Sequence, residues 1–420
     1  MIMAICLTAM FLSCFCSLVL KKQEIALLLV LFSFAFIFDY NKDMPGYFYI
    51  IPTFCGFLSV ATNGIKYKVF WGLLFWFFVY YCIVILFGPY SKSVFGWLSR
   101  TLSLVFLFLW VMLLKWDRKK ILFITISYGS YLVVWGFLEK LIYDPLRIGG
   151  PMAMPTEYAV VLSMLWSIWF VDSCKGKKNI LLLTLVTGLV LLPIAFSGAR
   201  TGLIGLGIGI LFGIYSYSFT NSTISQISVA RKSVKFFIIF LFVSIVSFVV
   251  WNVFMKDLFI AKAMDSLLHG KIDSSNMGRV MAWLSAYDTF SKNKIWGAGP
   301  DTFSDIYLKF VKTISNVRMT KKALPHAHNE ILQVLSEFGL IGFLHLSAVV
   351  SFCIFSFVNY MHKNKNETIC YGIIAGFSVF FATMLVNGTP SFGIIPWIMG
   401  LMASFYFNYY QKDFKEKLDV

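Results

Sequence analysis

The sequence predicts an all-α polytopic membrane protein with about twelve to thirteen transmembrane helices, and three observations predict it. Fifty-nine per cent of the 420 residues are hydrophobic and only 13% are charged, a balance that no water-soluble domain sustains. Apolar runs of roughly 17 to 25 residues recur along the chain, the length a helix needs to cross a bilayer core about 30 Å thick. Short basic links separate these runs, and a single long hydrophilic stretch, residues 255–330, interrupts the series.

Taken in order, the spans fall near residues 2–20, 24–38, 47–62, 68–88, 96–114, 121–138, 152–171, 179–196, 202–218, 236–254, 331–357, 371–387 and 392–409. The first has no basic n-region and no small-residue cleavage site, so it reads as a span and not as a signal peptide. The second and third are short enough to be re-entrant pieces. The eight cysteines lie mostly inside apolar runs without CxxC pairs, which makes them small core residues.

A net charge of +16 would point to nucleic acid in a soluble chain, but here its sidedness matters more. If alternate connections face the cytoplasm, one set of short links carries nineteen Lys and Arg, with clusters at Arg118-Lys119-Lys120 and Lys175 to Lys178. The opposite set carries six: Lys42, Lys92, Arg100, Lys140, Arg147 and Arg200. The positive-inside bias then puts the C-terminus in the cytoplasm and residues 255–330 outside. Three regions follow: an N-terminal transmembrane bundle (1–254), a large periplasmic loop (255–330), and C-terminal transmembrane helices with a cytoplasmic tail (331–420).

The long loop has a pattern of its own. Between Met277 and Phe290, Val280, Trp283, Leu284 and Tyr287 recur at helical spacing, and Gly297-Ala298-Gly299-Pro300 then breaks the chain. Short helices on the outer face are expected. At the loop's end, Asn329 is a good N-cap and Glu330 suits the positive end of the following helix dipole. This sets His328 at the mouth of a membrane helix.

Four side chains carry the candidate chemistry. Arg200 closes Ser197-Gly198-Ala199-Arg200 at the outer boundary, where arginine is costly unless it is paired or faces water; a snorkelling interfacial anchor is the other reading. Arg279 stands four residues before Trp283, and its planar guanidinium suits bidentate contact with phosphate oxygens, although a lone surface arginine is often only solvated. His328 can exchange a proton near neutral pH, so a neutral imidazole there can act as general base on a hydroxyl, or it can make one structural hydrogen bond. His326, two residues earlier, makes a poor zinc pair with it, because no cysteine or well-spaced carboxylate accompanies them.

The remaining titratable groups read as structural. His345 should be packed within a span, and His269 and His362 read as loop residues. Among the carboxylates, Asp288 and Glu337 stand out. Glu337 lies about 13 Å from His328 along a straight helix, too far for direct contact, and is expected to pair with a cation. No P-loop, GxSxG elbow, dinucleotide fingerprint or acidic metal-binding pair is present, which disfavours ATP-driven transport and metal-dependent sugar-nucleotide transfer. A basic, water-facing site with one histidine points to an anionic lipid-linked substrate.

These residues resemble the O-antigen ligase and polymerase superfamily of bacterial surface-polysaccharide assembly. His328-Asn329, nine further residues and Gly339 are similar to its H-N-x9-G signature, and Arg200 and Arg279 match its two outer-face arginine motifs. The resemblance implies a metal-independent, inverting, GT-C-like glycosyltransferase in the bacterial inner membrane, its site facing the periplasm. It needs no cofactor, and its donor is a glycan on undecaprenyl diphosphate. His328 would be the catalytic base, with Arg200, Arg279, Asn329 and His326 as substrate-binding residues. Membrane lipids and the lipid A-core acceptor are the expected partners, without nucleic acid. Ligase is the first expectation and O-antigen polymerase the alternative, ahead of a protein O-oligosaccharyltransferase or a polysaccharide transporter. The family has about a dozen spans with both ends inside, one fewer than counted here.

Overall fold

The computed structural model describes residues 2–40, 47–61, 68–88, 94–143, 145, 147–149, 155–175, 180–220, 274–313, 324, 326–363, 367–387 and 396–405. Among them the secondary structure is entirely helical. In chain order the helices are α1 (Ile2–Leu18), α2 (Gln23–Tyr40), α3 (Tyr47–Ala61), α4 (Lys68–Phe87), α5 (Val94–Leu113), α6 (Arg118–Tyr143) and α7 (Pro155–Lys175). After these come α8 (Ile180–Ser197), α9 (Arg200–Thr220), α10 (Ser274–Lys292), α11 (Phe303–Thr313), α12 (Glu330–Lys363), α13 (Thr368–Asn387) and α14 (Pro396–Phe405). The span expected at 236–254 lies outside the described residues.

The protein is an all-α membrane protein. α6 and α12 are each long and apolar enough to cross a bilayer. Many large apolar side chains point outward: Phe75 is 67% exposed, Leu86 72% and Leu141 78%. Such a surface would aggregate in water, whereas lipid tails cover it at no cost. Backbone hydrogen bonds closed within each helix complete the solution, because hydrocarbon offers none.

Without water between helices, close backbone approach must supply much of the association, and small residues permit it. α7, α9 and α13 form such a core. Gly202 faces Ala159, Gly205 faces Ser163 and Gly209 faces Ser167, each with no room for a further carbon. Ser163 donates its hydroxyl to the carbonyls of Ala159 and Gly202 at 2.7 and 2.8 Å, bonding α7 directly to α9. Fully buried Trp110 on α5 donates from Nε1 to Gln23 Oε1, and Gln23 Nε2 donates to Ser59 Oγ, joining α5, α2 and α3.

One end of the bundle is tied by charge. Arg118, at the start of α6, meets the fully buried carboxylate of Asp172 near the end of α7 in a two-pronged contact, Nε to Oδ1 at 2.7 Å and Nη2 to Oδ2 at 2.8 Å. Thr368, at the start of α13, donates to the same Asp172 Oδ1 at 2.8 Å. Lys120 pairs with Glu24 of α2 at 2.7 Å. Since α6 starts at this end and α7 finishes at it, the last residues of α6 and the first of α7 lie at the opposite end, as does the 197–200 turn that Arg147 bonds.

His345 is packed within α12, as its sequence position predicts: it stacks on Tyr80 and accepts from Trp76 Nε1 at Nδ1 over 2.9 Å. His362 departs from its loop expectation, since it lies in the last turn of α12.

Candidate active site

The start of α12 is built by its own side chains. Asn329 Oδ1 accepts the N–H of Leu332 at 3.0 Å, and its carbonyl accepts the N–H of Gln333 at 2.9 Å, so the expected N-cap forms. Gln333 reaches back, and its Oε1 accepts the N–H of Ala327 at 2.7 Å. Between these two bonds His328 is held at φ 53°, in the left-handed region that non-glycine residues seldom occupy, although histidine, like Asn and Asp, enters it more readily than most. Backbone held there is over-determined by its surroundings, a condition that gathers at functional sites. The His326 and His328 rings stand edge to face with centroids 6.5 Å apart.

The turn is anchored to the loop helices through Ala327, which is fully buried with Met281 and Ala282 of α10 and with Phe303 and Tyr307 of α11. Leu324 packs on the same small core and comes within 3.8 Å of a Cβ placed on Gly278. Arg279, the next residue, is half-buried on the first turns of α10. The chain segments that carry Arg279 and His328 are thus both anchored in one miniature core by their neighbours. Of the apolar residues that mark the period of α10, Leu284 and Tyr287 are exposed. The buried face consists instead of Met281, Ala282, Ser285, Ala286 and Thr289.

α12 is broken at Gly339, whose φ of 60° and ψ of −155° belong to no helix. The break frees backbone groups that hydrocarbon cannot satisfy, and the Lys294–Gly299 segment takes all four. Ala298 and Gly299 donate to the carbonyls of Ser336 and Glu337, both at 2.9 Å, and Leu340 and Ile341 donate to the carbonyls of Lys294 and Ile295 at 2.8 and 3.3 Å. A Cβ at Gly339 would overlap the carbonyl of Ile295. The glycine ten residues beyond Asn329 is therefore where the loop docks onto the membrane helix.

Glu337, expected to pair with a cation, is buried, and its Oε1 accepts the N–H of Phe303 at 3.0 Å, which caps α11. The helix terminus is the positive partner that the sequence does not display. Asp288 makes only an exposed pair with Lys292 at 2.6 Å, one turn away. Lys321 and Lys322, considered as rim contacts for an acceptor, lie outside the described residues.

Arg200 is the first residue of α9, entered through Gly198 at φ 63°. Arg147, counted in the sequence only as an outer cation, joins it there: its Nε donates to the carbonyl of Ser197 at 2.8 Å, while the N–H of Ile148 donates to Phe196 at 3.3 Å. Glu157, in the first turn of α7, is only 3% exposed and lies within electrostatic reach of Glu330. The starts of α7 and α12 thus lie within electrostatic range of each other. Arg147 and Glu157 were legible only as single charges. Their signal was position: a cation beside Ile148-Gly149-Gly150-Pro151, and an acid just inside a span.

Fold and site together define a membrane protein with helix starts and turns gathered at one end, among them two arginine positions and a histidine held on a helix cap. Residues 180–347, which run from α8 through the break in α12 and include Arg200, Arg279 and His328, match the family model described as O-antigen ligase. This match, over two fifths of the chain, supports the O-antigen ligase and polymerase superfamily, whose members are glycosyltransferase-like enzymes acting on lipid-linked polysaccharide in membranes. A search of characterised proteins finds no match to the chain.

Proposed function

We propose that the protein is a metal-independent inverting glycosyltransferase of the multi-pass, GT-C-like kind. It acts at the periplasmic face of the bacterial inner membrane as an O-antigen ligase, moving polysaccharide from undecaprenyl diphosphate to lipid A-core oligosaccharide. One observation supports the reading: the turn that holds His328 at positive φ on the cap of α12 is anchored, through Ala327, in a small core with Met281 and Ala282 of α10, the helix that bears Arg279.

In the reaction, the acceptor hydroxyl oxygen attacks the anomeric carbon and the bond from that carbon to the diphosphate oxygen breaks. The hydroxyl proton passes to the neutral imidazole of His328. The leaving oxygen keeps the bonding electron pair, and Arg200 and Arg279 offset its growing charge with fixed guanidinium donors. Asn329 and His326 line the approach beside the base. The lipid tail of the donor lies against the apolar outer faces of the helices.

Transfer by purified protein in lipid nanodiscs, with an undecaprenyl-diphosphate-linked glycan donor and lipid A-core acceptor, tests the proposal. His328→Ala should reduce the rate by about 10²-fold or more, the usual share of a positioned base. Arg279→Lys should rescue poorly although charge is kept. Full transfer by the His328→Ala variant would remove the base from the mechanism. In cells, deleting the gene should leave bare lipid A-core with long polymer stranded on its carrier; single repeats on the core would instead identify the polymerase.

A further inference from the structure

We propose that Arg147 is a positioning residue for donor binding: it holds the turn from which Arg200 begins α9. The inference rests on the reading of Arg200 as a diphosphate ligand, and it concerns a residue outside the stretch, 180–347, that matches the family model. A helix leaves its last four carbonyls without partners of its own. In α8 these belong to Ile194, Ala195, Phe196 and Ser197, and all four are taken. Two bonds come from the turn itself, Ser197 Oγ to Ile194 at 2.6 Å and the N–H of Gly198 to Ala195 at 2.9 Å. The other two come from the connection between α6 and α7: the N–H of Ile148 donates to Phe196 at 3.3 Å, and Arg147 Nε donates to Ser197 at 2.8 Å.

The arginine does more than cap α8. Its Nε, Cδ and Cγ lie 3.2 to 3.7 Å from where a Cβ on Gly198 would stand, so the side chain runs along the bend and the glycine leaves room for it. Gly198 makes that bend at φ 63°, and Arg200 follows two residues on. The connection that carries Arg147 is itself fixed. Ile148 is fully buried, the N–H of Gly149 donates to Glu139 Oε1 at 3.1 Å, and Lys140 Nζ donates to the carbonyl of Pro145 at 3.1 Å. The end of α6 thus holds this connection, and the connection holds the α8–α9 turn. Charge favours a cation here as well, because the C-terminus of α8 is the negative end of its dipole and adjoins the residue proposed to receive an anion. A guanidinium on the Ser197 carbonyl offsets that repulsion. Arg147 therefore settles the place of Arg200 before the donor arrives, which lowers the ordering cost of binding.

Kinetics of the full-length protein in nanodiscs, with the lipid-linked donor and lipid A-core acceptor, test the proposal by comparing Arg147→Ala, Arg147→Lys, Arg200→Ala and the Arg147→Ala/Arg200→Ala double variant. Arg147→Ala should raise donor KM about tenfold with kcat changed by less than about threefold, and Arg147→Lys, which keeps the charge without the planar fork, should recover only part of the loss. The double variant should match the kcat/KM of Arg200→Ala to within about twofold, because Arg147 acts through Arg200. A wild-type donor KM in Arg147→Ala, with only a lower melting temperature, would overturn the proposal and leave Arg147 a helix cap. Losses that multiply in the double variant would overturn it equally, since Arg147 would then act on the donor by itself. Should the alanine variant fail to fold, Arg147→Lys decides: a raised donor KM supports the positioning role and a wild-type value rejects it. A wild-type donor KM in Arg200→Ala would instead defeat the phosphate reading of Arg200, whatever Arg147 does.

Discussion

At Gly339 a single hydrogen atom in place of a side chain decides whether the loop can reach the membrane helix. Its φ of 60° alone costs another residue about 1–2 kcal/mol. A methyl group there also overlaps the Ile295 carbonyl, so the four backbone bonds of the dock cannot all persist. Gly339→Ala should therefore destabilise the protein by about 2 kcal/mol or more and abolish transfer, whereas Gly188→Ala, in α8 with nothing within 4 Å, should be neutral or stabilise by about 0.5–1 kcal/mol. Melting curves of the two purified variants check the contrast, and equal melting temperatures would refute it. Residue identity was legible here, since His328, Asn329 and Gly339 can be picked out by type and spacing. Conformation was not: nothing in His-Asn-Glu announces a left-handed His328, because the bonds that enforce it come from Asn329 and Gln333 further on.

Helices were read well where one face meets lipid and poorly where the partner is distant in sequence. The apolar runs gave α1 to α9 and α12 to α14 within several residues, yet the break inside α12 was invisible, because Phe338-Gly339-Leu340 is as apolar as its surroundings. What satisfies that break arrives from residues 294–299, and hydropathy carries no trace of it. The same holds for Glu337, whose partner is the start of α11. Replacing it by Gln keeps an acceptor for Phe303 and should change little, while Glu337→Ala should cost about 1–2 kcal/mol. Hydrogen exchange should then show α11 opening in the alanine variant alone; equal protection in both would deny the cap its role.

The charged end of the bundle obeys a related asymmetry. Removing Arg118 leaves the fully buried carboxylate of Asp172 facing the Thr368 hydroxyl without its cation, at a cost of about 3–5 kcal/mol. Asp172→Asn leaves instead an arginine side chain 51% exposed, which water can take up, for about 1–2 kcal/mol. Arg118→Ala should thus melt well below Asp172→Asn, and the reverse order would show that the carboxylate is better solvated than its burial implies.

At the scale of the whole molecule, the two ends differ in chemistry, and that difference can be read as orientation. Arg118, Lys120 and Asp172 gather at one end, while Gly198, His328 and the α10–α11 core gather at the other. The proposed function needs the first end, with its excess of Lys and Arg, to be cytoplasmic, the side on which cationic short loops are retained. The second end, with the histidine and the two arginine positions, would then face the periplasm, where a lipid-linked polymer would meet its acceptor. Single substitutions test this directly. Ser291→Cys on exposed α10 should react with a membrane-impermeant maleimide in spheroplasts, and Lys119→Cys at the opposite end should react only after permeabilisation. Labelling of both before permeabilisation, or the inverse pattern, would place the site on the wrong side for a periplasmic transferase. A cytoplasm-facing His328 would also lose its argument from substrate, because a base and an anion clamp then stand where no exported polymer is presented to lipid A-core. Orientation and mechanism therefore stand or fall on the same two cysteines.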